Sequence, residues 1–301
     1  MPGIGVIGAG YLGRHHARVY ATLDGARLAG VADLDRESAE EVASTYGARA
    51  YTDFREMLGS VDAVSIVTPT ETHYDIAMEC LKNGKDVLLE KPMCYSVEEA
   101  DALIREAQAR KLILQVGHVE RFNPAAIEAL SHLDSPSFIE AERVSPFPAR
   151  STDVDVTLDI MIHDIDIALH VFGCPEASVI RAAGSCIVTE KLDTVKAWVD
   201  FENGCSAFFS ASRIAAEKRR VMKFMEKNRF VKVDFLAKKV TVKTSAGQED
   251  IEPAASEPLK EELADFIRCI RGRGGPRVSP REARQALALA LKISQTVRST
   301  F

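Results

Sequence analysis

The sequence predicts an α/β protein: a doubly wound parallel sheet over residues 1–120, then an α+β domain with a mostly antiparallel open sheet over 121–301. Three observations carry this prediction. Short apolar runs alternate with helical stretches as far as residue 116, the pattern of a parallel sheet with crossover helices. Val87-Leu88-Leu89 reads as a buried strand, yet it ends at once in Glu90-Lys91-Pro92. Charges at that position face the ligand crevice beyond the carboxyl ends of the strands. Past residue 135 the apolar residues recur every second position, as in half-buried antiparallel strands.

Composition narrows the class. With 301 residues the chain is long enough for two domains, and 46% hydrophobic with 27% charged residues is ordinary for a globular protein. A net charge of −6, with no basic run to offset it, argues against nucleic-acid or anionic-membrane partners. No apolar run approaches the roughly 18 residues that span a bilayer. Residues 3–7 already read as a strand, which leaves no room for a signal peptide. The six cysteines are far apart and form no CxxC pair, so they are expected as reduced thiols filling core volume in a reducing, cytoplasmic compartment.

Strand 4–7 leads into Gly8-Ala9-Gly10-Tyr11-Leu12-Gly13 and a helix over 14–23. This places GxGxxG between strand and helix, where its glycines allow a tight turn, pyrophosphate approach and close helix packing. The helix N-terminus supplies N–H groups to the phosphates. Strand 27–32 ends in Asp33, about 20 residues beyond the last glycine, where a carboxylate takes the ribose hydroxyls. The pattern is that of a Rossmann domain. Asp33 and Asp35 would repel a 2′-phosphate, partly offset by Arg36, which favours NAD over NADP. His15 and His16 on the first helix are expected to be solvated. Helix 37–46, strand 62–67 ending in Thr68-Pro69-Thr70, and helix 73–83 stopping at Gly84 continue the alternation. The Lys91 strand, helix 97–110 and strand 112–116 complete an expected six-stranded unit, of which five strands are placed. Thr68, Glu90 and Lys91 fall on neighbouring strand ends, and the domain closes at Gly117-His118-Val119-Glu120-Arg121-Phe122-Asn123-Pro124.

In the second domain, strand 138–144 is followed by the Pro-rich Ser145-Pro146-Phe147-Pro148 and a helix over 158–172. On a helical wheel Asp159, His163, Asp166 and His170 lie within about 40° of one line, and most other positions are apolar. Buried carboxylates and imidazoles cost several kcal/mol unless partnered or open to a cavity, so the stripe is expected to line a polar cleft. A purely structural stripe is the alternative, Asp166 and His170 above all. Metal binding is not expected, because there is no HxxxH pair and no cysteine joins in. Antiparallel strands follow from 177 to 242, among them 194–201, the Asn203-Gly204 turn, 206–212, 221–226, a turn at Asn228, and 230–235. The helix covers one face of the sheet; the other carries Trp198, pointing to a subunit interface. Helices 259–271 and 281–297 finish the chain, the last opened by a Ser279/Glu282 capping box.

The GxGxxG turn with Asp33, the Thr68-Pro69 strand end with His73, Glu90-Lys91-Pro92 and Asp159-x3-His163 together resemble the glucose-fructose oxidoreductase/inositol dehydrogenase (Gfo/Idh/MocA) family over the whole chain. Within it, the 117–124 stretch and Thr152-Asp153-Val154-Asp155 look most like the branch that oxidises the 3-hydroxyl of UDP-N-acetylglucosamine. The resemblance implies a catalytic cluster of Lys91, Asp159 and His163 and a cis Lys91–Pro92 bond. It implies an NAD site of Gly8, Gly10, Tyr11, Leu12, Gly13, Asp33, Thr68, Thr70, His73, Glu90 and Lys91. Thr70 stands where many relatives have Asn and keeps hydrogen-bonding capacity. His118 stands where other branches carry an aromatic or aliphatic residue. With Arg121 and Asn123, candidates for a diphosphate or N-acetyl group or for a structural pair, it joins Lys91, Asp159 and His163 as the expected substrate site. His163 is the expected general base, Lys91 the charge beside the alkoxide, Asp159 a sugar-hydroxyl acceptor and Glu90 the nicotinamide-ribose ligand. The expected partner is a small sugar or nucleotide sugar, with a homodimer or homotetramer built through the C-terminal sheet. A dehydrogenase of a free polyol and a non-catalytic NAD sensor are the competing readings.

Overall fold

A computed structural model describes residues 1–147 and 154–299. Pro148, Thr152 and Asp153 of the motifs above lie outside the described residues. The chain forms two compact units, Met1–Val119 with Glu257–Arg284, and Glu120–Ser256 with Gln285–Phe301.

In the first unit β1 (Gly3–Ile7), α1 (Tyr11–Thr22), β2 (Arg27–Ala32), α2 (Arg36–Thr45), β3 (Arg49–Tyr51), α3 (Phe54–Met57), β4 (Ala63–Ile66), α4 (His73–Lys82), β5 (Asp86–Glu90), α5 (Val97–Arg110) and β6 (Leu114–Gly117) follow in turn. The strands pair in parallel in the order β3-β2-β1-β4-β5-β6. The order reverses between β1 and β4, which opens a crevice at their carboxyl ends. Every residue of β1, β4, β5 and β6 is buried, which is why these runs lack alternation in sequence. The sixth strand, unplaced by the sequence, is β3. Its three residues are too few to show a period.

After α6 (Pro124–Ser131), the second unit is built on an eight-stranded sheet. Its strands are β7 (Phe138–Val144), β8 (Ala177–Ser185), β9 (Thr194–Phe201), β10 (Ser206–Ser212), β11 (Arg219–Glu226), β12 (Arg229–Asp234), β13 (Lys239–Thr244) and β14 (Gly247–Ile251). They run β14-β13-β12-β11-β7-β10-β9-β8, and all pairs are antiparallel except β7 with β10. β7 buries Ile139, Ala141 and Arg143 and leaves the residues between them half-buried. On the other face Trp198 stacks on Phe138 at 5.2 Å and donates to Asp200. The polar helix comes as two pieces, a π turn over Thr157–Met161 and α7 (Ile162–Phe172).

α8 (Pro258–Gly272) and the first residues of the last helix depart from the sequence division. α8 packs in the first unit, where Leu263, Phe266 and Ile267 share a core with Ile4, Val6, Ala17 and Tyr20. Amphipathic spacing reveals an apolar face but not what covers it, so the sequence alone does not separate residues 257–284 from the second domain. α9 (Pro280–Arg298) opens with the expected capping box, Ser279 N–H to Glu282 and Glu282 N–H to Ser279. All six cysteines are thiols, yet Cys186 is exposed and Cys174 and Cys205 only half-buried. The core-filling role holds for Cys80, Cys94 and Cys269 alone, whose thiols burial pushes up to about 12, 12 and 11.

A buried ion pair closes the second unit's β9–β10 region. Asp193 and Arg213 are fully buried and meet at 2.8 Å, and Asp193 also accepts the N–H groups of Ile187, Val188 and Thr189. Burial alone would raise this carboxyl, but those donors and Arg213 outweigh it and hold it well below the usual range. A depressed folded-state pKa stabilises the fold above pH about 4 and loses that contribution as the pH falls through the folded value. Asp193→Asn is therefore expected to cost about 3–5 kcal/mol in urea unfolding at pH 7, since Arg213 is left buried and uncompensated. The deficit should shrink progressively below pH about 4, where the unfolded wild-type chain takes up a proton at Asp193 that the folded state still excludes.

Candidate active site

The glycine turn stands at the amino end of α1. Gly8 has φ +101°, and a Cβ at Gly13 would sit 1.8 Å from the Gly8 carbonyl oxygen, so both positions demand glycine. Gly10 differs: a Cβ there meets nothing within 4 Å. Its bareness faces open space, as a phosphate cradle requires. Asp33 Oδ2 accepts the Ala9 N–H at 2.6 Å and Oδ1 accepts the Asp35 N–H at 2.9 Å. Each oxygen keeps a second lone pair for a ribose hydroxyl. A cavity of about 640 Å³ runs past Gly8, Gly10, Asp33 and Thr68, within the size range of cofactor sites. Leu34, Phe54 and Arg55 line it too, and the sequence reading missed them. Placing β3 would have found Phe54 and Arg55, since they follow that strand's carboxyl end. Tyr11 and Leu12 are exposed on the first turn of α1.

Around β5 the polar groups are braced from within. The Lys91–Pro92 bond is cis, as the resemblance implies. His73 is buried, and its ring nitrogens lie 2.9 Å from the carbonyl oxygens of Thr68 and Pro92, tying the β4 end to the β5 turn. Burial pushes the His73 imidazole below its ordinary value. It is a brace beside the cavity rather than part of its lining. Thr70 is buried, and Thr72 donates to Thr68 at 2.8 Å. His118 is buried just past β6. His16 overturns the expectation of a solvated residue: it is completely buried and meets Ser65 and Glu90. The wheel of a helix packed on a sheet buries whatever lies on its inner face, polar or not.

In the second unit, Asp159 on the π turn and His163 on α7 are half-buried. The rest of the stripe is structural, as the alternative reading had it. Arg121 faces Asp166 at 3.5 Å and donates to His170 Nδ1 at 2.8 Å. Asp166 is buried and His170 exposed. Asn123 caps α6 by accepting the Ala125 N–H and donates to Glu120 at 2.8 Å. Three residues that sequence reasoning passed over complete the unit's polar core. Arg143 donates from Nε and Nη2 to Asp164 and from Nη1 to Glu120 at 2.7 Å, and all three are buried. Burial alone would raise Glu120, but Arg143 outweighs it and holds the carboxyl below the usual range. Arg143 alternates with Ile139 and Ala141 in β7, so a charge at a core-facing position was the available signal. Among the described residues no group of His, Cys, Asp and Glu is arranged to hold a metal.

Family models agree with this geometry. An oxidoreductase family model described as an NAD-binding Rossmann fold matches residues 3–118, and a GFO/IDH/MocA C-terminal domain matches 136–231. The chain is 40% identical to UDP-N-acetylglucosamine 3-dehydrogenase of Acidithiobacillus ferrooxidans over 307 aligned positions, 98% of this chain and 97% of that protein. The chain belongs to the Gfo/Idh/MocA family. That relative's solved structure superposes with a TM-score of 0.94 at 39% identity, covering 99% of this chain and 98% of the other. The scyllo-inositol 2-dehydrogenase (NAD(+)) of Bacillus subtilis is 28% identical over 320 positions, 98% of this chain and 93% of its own. As a Gfo/Idh/MocA oxidoreductase the chain uses NAD, and the bare Gly10 cradle, Asp33 and the cavity fit that cofactor. Gly10→Ala is expected to leave the melting temperature unchanged while weakening NAD binding at least about tenfold by calorimetry. Gly13→Ala, with its Cβ driven into a carbonyl, should lower both.

Proposed function

We propose that the chain oxidises a secondary hydroxyl of a sugar nucleotide, UDP-N-acetylglucosamine to its 3-keto form. The observation that carries this reading is the end-to-end similarity to a dehydrogenase of that nucleotide sugar, in a chain whose Lys91, Asp159 and His163 are all present. NAD, when bound, supplies the acceptor for the hydride leaving the carbinol carbon. The Gly8–Gly13 turn holds its pyrophosphate, Asp33 its adenosine ribose and Glu90 its nicotinamide ribose.

The protein's own task is to remove a proton from an alcohol whose pKa lies far above 7. His163 takes it, since an imidazole is matched to neutral pH. Lys91 supplies a fixed positive charge beside the developing alkoxide. Asp159 accepts a hydrogen bond from a sugar hydroxyl and orients the ring. Arg121 remains the proposed donor to the diphosphate or N-acetyl oxygen, and His118 a contributor to the substrate wall. Asn123, with its amide engaged by Glu120 and Ala125, positions Glu120 instead. We place the protein in the cytoplasm as a homodimer or homotetramer, joined through the sheet face that carries Phe138, Trp198 and Phe208.

Incubation with NAD and UDP-N-acetylglucosamine, with hydroxylamine to trap the ketone, should yield NADH that free N-acetylglucosamine does not. NADH with inositol alone would overturn the substrate, and no turnover of any sugar would favour a sensor. Lys91→Ala should lower kcat about 10²–10³-fold, the usual cost of a lost transition-state charge partner, and leave the NAD dissociation constant essentially unchanged.

A further inference from the structure

Helix α1 carries two polar features. Its amino end forms the phosphate cradle. One turn along, His16 points inward, fully buried. Its Nδ1 lies 2.8 Å from Ser65 Oγ on β4, and its Nε2 lies 3.1 Å from Glu90 Oε1 at the end of β5. Glu90 Oε2 accepts the Lys91 N–H at 3.2 Å. From the third side, a Cβ at Gly117 on β6 would come 2.9–3.0 Å from the Glu90 carboxyl atoms. A Cβ there would displace the carboxylate from the position it holds.

Apolar residues would fill the interior at lower cost than an imidazole and a carboxylate, which must be desolvated together. The pair therefore has to accomplish something that packing does not. A carboxylate has no proton to give, so the ring carries hydrogen on Nε2 and donates it. We infer that His16 is a positioning residue for Glu90: its hydrogen bond holds the carboxylate turned toward the crevice, where Glu90 binds the nicotinamide ribose. The inference rests on the Glu90 role proposed above. Burial by itself would raise the Glu90 carboxyl, but the His16 hydrogen bond and the positive charge of Lys91 together outweigh it and hold the group below the usual range. One helix thereby serves both ends of the cofactor, the pyrophosphate through its N–H groups and the nicotinamide ribose through His16.

The test measures NAD dissociation constants by calorimetry, with melting temperatures alongside, for His16→Leu, His16→Gln, His16→Asn, Glu90→Gln and the Leu/Gln double variant. His16→Leu should weaken NAD about tenfold, the scale of one lost charge-assisted hydrogen bond. His16→Gln, whose amide N–H reaches as far as Nε2, should return to within about threefold of wild type. His16→Asn, one methylene shorter, should behave like the leucine variant. In the Glu90→Gln background the leucine substitution should add less than about twofold, because both act through one contact.

A purely structural His16 would lower the melting temperature and leave NAD affinity alone, which overturns the inference, as would multiplying effects in the double variant. If Glu90→Gln itself binds NAD normally, the Glu90 reading fails first and takes the inference with it. If Glu90→Gln binds poorly and His16→Leu binds normally, the inference alone fails. Should the leucine variant not fold, equal affinities for the Gln and Asn variants would overturn it.

Discussion

Two opposite charges at the end of a central parallel strand have to be held from inside the fold. β5 has neighbours on both sides and is buried along its whole length, so Glu90 and Lys91 leave the sheet with no lateral solvent to relax into. The first unit answers with contacts from three directions. α1 supplies His16, β6 supplies the bare surface of Gly117, and His73 links the β5 turn to the end of β4. Polar groups in such a place rigidify when satisfied and destabilise when they are not. The conformation at residues 90–92 is therefore a property of four elements rather than of a local motif.

The second unit solves a related problem with arginines. Arg143 is bracketed by Asp164 and Glu120, and Arg121 by Asp166 and His170. These contacts tie α7 to β7 and to the turn at Val119–Phe122. Buried ion pairs of this kind contribute less to stability than equally well packed apolar groups, and removing one partner is costly. Their consequence is directional: the helix is fixed in rotation, and Asp159 and His163 stay half-buried while Asp164 and Asp166 are enclosed. That leaves a carboxylate and an imidazole partly exposed on a segment otherwise held by ion pairs, the two groups proposed above to meet the sugar.

Much of this was legible in the amino-acid order. β2, α5, β7, β9 and β10 fall on the residues that periodicity and turn chemistry assign, because each is long enough to show its period between clear stops. The glycine turn and Asp33 were legible because their spacing is set by the size of a dinucleotide. Other features were hidden for physical reasons. β3 is too short for a period, and α8 packs on strands more than two hundred residues away in sequence. The wheel drawn through 158–172 assumed one α-helix, whereas Thr157–Met161 is a π turn. His16 was invisible because a helix sequence does not tell whether a polar residue on its inner face meets a partner.

The proposed reaction removes a hydride from a sugar carbon and passes it to NAD. The most direct measurement uses the proposed nucleotide sugar with deuterium at the carbon bearing the oxidised hydroxyl. Deuterium is expected on the reduced nicotinamide, one for each ketone formed. Deuterium retained in the sugar or lost to water would contradict it.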